Sequence, residues 1–228
     1  GRVLIPTLAV GRAQEVMLIL DRAMANKSIE EAPVFVDGMI TEVSKVHSAF
    51  PSYLSSELYS LITEEGVNPL ESEYFVPIKS SSERPEALSA GKAVILSTSG
   101  MLEGGPVLEY FRHVAPEPKD SVLFVNYQIE GTLGQRVLSG AKQVQLYDEE
   151  GKPAVIDIKS QIHRLDGLSG HSDRSQLLTF ARNVITGRGS LFLVHGERSK
   201  LRSLHRTVSH MFPHRATVPR LGERYRVL

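Results

Sequence analysis

Val3-Leu4-Ile5-Pro6-Thr7-Leu8-Ala9-Val10-Gly11-Arg12-Ala13-Gln14-Glu15-Val16 changes its hydrophobic period partway along. The first part is an apolar run closed by a glycine, which reads as a buried strand reaching Gly11. The next part opens a stretch, residues 12–24, with apolar side chains at Val16, Ile19, Leu20 and Ala23, a helical spacing. A strand that passes through a glycine turn into a helix is the repeating unit of α/β folds with mainly parallel sheets.

The same alternation continues outward. Val34-Phe35-Val36 is a short buried strand ending at Asp37-Gly38, followed by helical stretches at 41–49 and 53–64. Ser80-Ser81-Ser82-Glu83-Arg84-Pro85 reads as a polar connection. A strand at 92–96 runs into Ser97-Thr98-Ser99-Gly100, then a helix at 105–113, a strand at 122–125 and a helix at 132–138. Segments 143–147 and 154–158 around Glu149-Glu150-Gly151-Lys152 read as a hairpin. The last unit is a helix at 173–184, a strand at 190–194, a helix at 197–211 and a short terminal strand. There is no internal repeat and no low-complexity tract. A boundary is expected near Asp166-Gly167, where the hairpin closes the first α/β run.

Composition narrows the function classes. The 228 residues are long enough for one large domain or two small ones. No stretch approaches the roughly 18 apolar residues that span a bilayer, and no charged-then-apolar leader opens the sequence, so a cytoplasmic protein with no membrane partner is expected. The absence of cysteine excludes disulfides and thiolate metal sites, leaving His, Asp and Glu as metal donors. The formal net charge is zero. Locally, however, Arg198, Lys200, Arg202, Arg206, Arg215 and Arg220, with His205, His210 and His214, occupy a segment that has no acid. Such a segment could meet phosphates, or it could be an ordinary solvated helix face. The chain opens at Gly1 directly on an apolar strand without an initiator Met, which reads as an excised domain or fragment.

Two strings carry the best chemical lead: Leu168-Ser169-Gly170-His171-Ser172-Asp173 and Phe192-Leu193-Val194-His195-Gly196-Glu197. Each sets a histidine and a glycine at an expected strand–helix junction, where ligands of open α/β sheets collect. From neighbouring strands the two imidazoles could share one site. His171 precedes Ser172-Asp173, good N-cap residues, and could supply a proton or a charge-assisted hydrogen bond beside a bound anion; it could equally be a structural cap. His195 emerges after an apolar strand, and neutral imidazole is the commonest metal ligand, although a plain turn histidine fits as well. Arg12 offers a planar fork suited to a phosphate diester, with a salt bridge as the competing reading. Ser97-Thr98-Ser99-Gly100-Met101 and Glu130-Gly131-Thr132-Leu133-Gly134 are small-residue turns that could form anion nests. Neither fits Gly-x-x-x-x-Gly-Lys-Ser/Thr, and no Gly-x-Gly-x-x-Gly occurs, which disfavours nucleotide-binding enzymes of those types.

Taken in order, Val3-Leu4-Ile5-Pro6 with Gly11-Arg12-Ala13-Gln14-Glu15, Ser99-Gly100-Met101, Glu130-Gly131-Thr132-Leu133, Ser169-Gly170-His171-Ser172-Asp173 and Val194-His195-Gly196-Glu197 resemble the β-CASP metallo-β-lactamase ribonucleases. Val36-Asp37-Gly38-Met39 fits the branch of archaeal homologues of the cleavage and polyadenylation specificity factor endonuclease. The resemblance implies a Rossmann-like β-CASP domain with a mainly parallel sheet, residues 1–166, and a C-terminal α/β segment of the metallo-β-lactamase fold, residues 167–228. It implies that His171 matches the motif B histidine, which acts on charge or proton at the scissile phosphate. By the same carry-over His195 matches the motif C histidine, a ligand to one of two zinc ions. Ser169, Gly170, Arg12, Ser99 and Gly100 are then phosphate or RNA contacts.

The implied activity is zinc-dependent endonucleolytic hydrolysis of RNA in 3′-end processing or decay, with a homodimer or related subunit as a possible protein partner. The family's His-x-His-x-Asp-His string and acidic motif A are not in this sequence, so the chain alone is expected not to hold the metal pair or cut RNA. The rival reading is a non-catalytic RNA-binding or scaffold module derived from the same family.

Overall fold

The computed structural model describes residues 1–147, 151–168, 170–185 and 189–226. They form two compact units, Gly1–Leu168 and Ser169–Leu228. The first unit runs β1 (Arg2–Pro6), α1 (Arg12–Ala25), β2 (Val34–Asp37), α2 (Ile40–Ala49), α3 (Ser56–Thr63), β3 (Phe75–Pro77), α4 (Arg84–Ser89), β4 (Ala93–Ser97), α5 (Val107–Val114), β5 (Ser121–Phe124), α6 (Leu133–Leu138), β6 (Gln143–Tyr147), β7 (Pro153–Asp157) and β8 (Gln161–Arg164). The second runs α7 (Arg174–Val184), β9 (Leu191–Phe192), α8 (Arg198–Met211) and β10 (Ala216–Thr217). Among the described residues no helix is long and apolar enough to cross a membrane.

Six strands of the first unit make one sheet in the order β3-β2-β4-β1-β5-β8, with every neighbouring pair parallel. A parallel sheet is stable only when both faces are covered, so its central strands must be apolar on both sides. The sequence obeys this. Leu4, Phe35, Ile95, Val122 and Phe124 pack into one core with Val107, Tyr110, Phe111 and Val114 of α5 and Leu133 and Val137 of α6. Their strand neighbours Ile5, Val34, Val36 and Leu96 enter a second core with Ala13, Val16, Met17 and Met24 of α1 and Ile40 of α2. The period of two along each strand thus divides the apolar residues between the two faces.

Three strand and helix expectations change. β1 stops at Pro6, and residues 7–11 form the loop into α1. The polar connection at 80–85 already contains the start of α4, whose first turn accepts Pro85 because no intrahelical N–H bond is required there. β3 and β8 escape a reading by periodicity because they are the two edge strands, short and carrying Pro77 and the polar string Gln161-Ile162-His163-Arg164. The antiparallel β6–β7 ladder matches the expected hairpin, and its tip at residues 148–150 lies outside the described residues.

One buried ion network ties the carboxyl end of β2 to two helices. Asp37 Oδ2 accepts from Arg84 Nε at 2.7 Å and from the Tyr110 hydroxyl at 2.8 Å, while Oδ1 accepts from the Gly38 backbone N–H at 2.6 Å. Arg84 Nη1 also reaches Glu109 at 2.6 Å. Burial first, and then the Asp37 carboxylate, hold the Tyr110 phenol far above its ordinary range. Removing the carboxylate leaves the Tyr110 hydroxyl buried without its acceptor and the partly buried Arg84 with Glu109 as its carboxylate partner. D37A is therefore expected to lower unfolding free energy by about 3–5 kcal/mol, and Y110F, which deletes one charge-assisted hydrogen bond, by about 1.5–3 kcal/mol. Urea unfolding followed by circular dichroism measures both, and near-wild-type stability of D37A would contradict this account.

Candidate functional site

β1 and β4 are adjacent parallel strands whose following helices lie on opposite faces of the sheet, α1 against one core and α5 against the other. This is a topological switch point, where loops part and leave a crevice at the carboxyl edge. Ser99 and Gly100 stand on the loop after β4, and Arg12 is the first residue of α1, directly after the loop from β1. The loop backbones touch: a Cβ on Gly100 would lie 3.1 Å from the Thr7 carbonyl carbon and 3.2 Å from the Leu8 nitrogen. Only a glycine allows that approach without displacement.

The loop after β5 closes the crevice from the side. Gln128 Nε2 donates to the Gly100 carbonyl at 2.9 Å and to the Asn126 carbonyl at 3.1 Å, clamping two loops together. Ser97 Oγ, Asn126 Oδ1 and Arg12 Nε are buried here without a hydrogen-bond partner. Arg12 spends one terminal nitrogen on Glu15, the salt-bridge alternative its sequence left open, yet its Nε remains an unused donor. Leu8, Val10, Met39, Tyr127 and Ile129 are exposed on the loops after β1, β2 and β5, giving this edge an apolar rim. Gln128 and that rim were not anticipated from sequence, although exposed apolar residues inside Gly-flanked loops were a usable signal.

Neither expected nest is an open anion site of the simple kind. In the 97–101 turn, the Ser99 N–H already bonds the Gly104 carbonyl at 3.3 Å. At α6, the Leu133 N–H donates to Glu103 Oε1 at 2.6 Å, so the protein's own carboxylate occupies the place an anion would take. A groove of about 500 Å³ between α1 and α3, lined by Leu18, Arg22, Leu58 and Leu61 among others, contains none of the expected site residues.

In the second unit, β9 pairs in parallel with β10, extended by Leu191 N–H to the Arg215 carbonyl at 2.7 Å and Leu193 N–H to the Thr217 carbonyl at 2.9 Å. His195 follows β9 by three residues and is exposed, with φ of 59° in the left-handed region. Gly196 packs on Leu201 at the start of α8. His171 is also exposed. It stands two residues before Asp173, the N-cap of α7, as His195 stands two residues before Glu197, the N-cap of α8. The expectation that both histidines leave neighbouring strands of one sheet is corrected: no strand lies between β8 and α7 among the described residues, and β8 belongs to the six-stranded sheet while β9 does not. The expected contact residue Ser169 lies outside the described residues; Gly170 is exposed with open space around its Cα.

Asp173 caps α7 through a reciprocal pair: its carboxylate accepts from Gln176 N–H at 2.8 Å, and its own N–H donates to Gln176 Oε1 at 2.9 Å. The Gln176 N–H, and then the Ser175 hydroxyl, hold its pKa below the usual carboxylate range. No group of three or more His, Asp or Glu side chains able to grip a metal ion occurs among the described residues.

A switch-point crevice on a fully parallel sheet, with a histidine-bearing unit after it, defines the class. Residues 13–137 match the Beta-Casp domain, and residues 155–219 match the Zn-dependent metallo-hydrolase RNA specificity domain. The chain belongs to the β-CASP metallo-β-lactamase family. Among its relatives, the transcription termination factor FttA of Cenarchaeum symbiosum is 48% identical over 224 residues, 98% of this chain and 35% of that protein. FttA of Methanocaldococcus jannaschii is 44% identical over 96% of this chain and 34% of its own length, and FttA of Pyrococcus horikoshii is 44% identical over 93% and 33%. The chain spans about a third of the length of these curated relatives.

A carboxylate whose folded pKa is depressed stabilises the fold above its unfolded pKa and loses that contribution as pH falls through the folded value. The Asp173 carboxylate resonance is therefore expected to titrate with a midpoint below the ordinary 3.8, with first-turn amides of α7 losing exchange protection over the same pH range. D173N should keep the cap, since Asn caps as well as Asp, and abolish this pH dependence, whereas D173A should lose protection at every pH. A midpoint at or above the ordinary value would contradict the capping geometry.

Proposed function

We propose that this chain is the β-CASP domain, residues 1–166, together with the C-terminal segment, residues 167–228, of a zinc-dependent endoribonuclease that hydrolyses RNA phosphodiester bonds in RNA 3′-end processing or decay. The observation that carries the reading is the pair of exposed histidines, each two residues ahead of a helix N-cap, inside the segment matched by the RNA specificity domain of zinc-dependent metallo-hydrolases. The relatives' name, transcription termination factor, is consistent with RNA 3′ ends as the place of action. A cytoplasmic setting is in keeping with that comparison.

His195 is the zinc ligand in this reading and His171 the group that donates a hydrogen bond or proton to the scissile phosphate. The imidazole of His195 suits zinc chemically, but a catalytic zinc takes three protein ligands, and the described residues bring no such group together. The residues present therefore do not make a zinc site by themselves, and the pair of ions draws most of its ligands from elsewhere in the longer protein. By the same count, the described residues alone are expected not to cut RNA. Phosphate contacts fall to Ser169 and Gly170 beside His171, and to Arg12, Ser99 and Gly100 at the crevice. The face of α7 that exposes Leu177, Phe180 and Val184 suits a second copy or a related subunit.

In a longer protein containing this chain, H171A and H195A should each lower zinc-supported cleavage of single-stranded RNA by about a hundredfold or more, as measured by gel assay under single-turnover conditions. Wild-type cleavage by both variants would overturn the assignment.

A further inference from the structure

Several arginines and lysines of the first unit are paired with carboxylates: Arg2 with Asp120, Arg84 with Asp37 and Glu109, Arg22 with Glu57, and Lys92 with Glu30. α8 differs. Between Arg198 and Met211 it holds no acidic residue, and the Glu197 at its N-cap pairs with Lys200 at 3.3 Å. Arg198, Arg202 and Arg206 are exposed and, among the described residues, have no carboxylate within ion-pair distance. Their spacing of four places them in one row on the helix surface. At 1.5 Å of rise per residue, the row extends about 12 Å along the axis.

A fourth cation is fixed against the same helix. Arg174 of α7 donates from Nη2 to Thr207 Oγ1 at 2.6 Å and to the Ser203 carbonyl at 3.3 Å, and from Nη1 to Ser203 Oγ at 3.4 Å. All three acceptors are neutral. The guanidinium is held in place while its charge stays uncompensated, which an ordinary solvated face does not require. In a chain whose formal charge is zero, this concentrates positive potential on one side of one helix.

We infer that the Arg198–Arg202–Arg206 row, flanked by Arg174, is a backbone-binding track for an RNA strand, running along α8 away from the His195 turn. The inference rests on the proposed reading that RNA is the substrate and names a surface for it outside the two histidine turns. Guanidinium forks recognise phosphate oxygens in pairs, and a linear row of them follows a linear polyanion. Ser199 and Ser203 lie beside the row and are short enough to let a strand approach. The contacts are to the backbone, so the track adds affinity and direction without reading sequence.

The test is fluorescence anisotropy with a labelled, mixed-sequence single-stranded RNA over a salt series, using the whole chain and the variant R198Q/R202Q/R206Q. Each lost phosphate contact removes about 0.7 from the slope of log affinity against log salt. The variant's slope should fall by about 2, and its low-salt affinity should drop by about tenfold or more. The corresponding lysine variant should retain most of the slope. K45Q/K79Q/K119Q, which removes equal charge from exposed positions of the first unit, should behave like wild type. Unchanged slope in the α8 variant, or an equal fall in the control, overturns the track. Polyglutamate binding as tightly as RNA and lost with the same arginines also overturns it, in favour of an acidic peptide. A normal slope with cleavage intact in the longer protein would remove this surface alone; a wild-type chain that binds no RNA would remove the ribonuclease reading as well.

Discussion

The first unit depends on β1 lying between β4 and β5 with all three strands running in the same direction. Parallel neighbours cannot be joined by tight hairpins, so each strand must be followed by a crossing over one face. Those crossings supply the helices that bury both sides of Leu4-Ile5 and Ile95-Leu96, and they force the loops to collect at the carboxyl edge. The position of Arg12, Ser99 and Gly100 is thus a by-product of how the core is closed. The chemistry available at that edge is set by what the loops leave unpaired.

Most of that core was legible in the sequence, because it is written in periodicity. Val34-Phe35-Val36 and the stretch ending at Ser97 are unbroken apolar runs, and α1 carries its buried face at helical spacing. What escaped was structure that periodicity does not encode. β3 and β8 are edges with one partner each, so a proline and a polar string are tolerated there. The bridge from Gln128 to Gly100 spans 28 positions, and no local pattern announces a side chain that will clamp a distant loop. Likewise, Glu103 reads as an ordinary acid until the fold brings it to the first turn of α6.

The second unit was legible in a different way. Its histidines were found as residue types in glycine turns, and its capping at Asp173 as a short-range sequence rule, since N-cap bonds are local. The expected common sheet failed because strand partnership is a non-local choice: β9 pairs with β10, which begins five residues past the end of α8. His205 shows how such a choice is secured. Its Nε2 lies 3.0 Å from the Ala216 carbonyl, and because a carbonyl can only accept, that nitrogen carries the proton and pins α8 to the strand that follows it.

The Asp37 carboxylate has a consequence for how this family can drift. Its two oxygens are fully engaged by a backbone amide, a guanidinium and a phenol drawn from three separate stretches of the chain. Loss of Asp37 alone leaves a buried phenol without its acceptor and Arg84 with Glu109 only, and loss of Arg84 alone leaves the Asp37 carboxylate buried without its cation. Residues 37, 84 and 110 should therefore be inherited as a set, replaced together or not at all, so that a single ancestral choice at the end of one strand constrains two helices across the whole lineage.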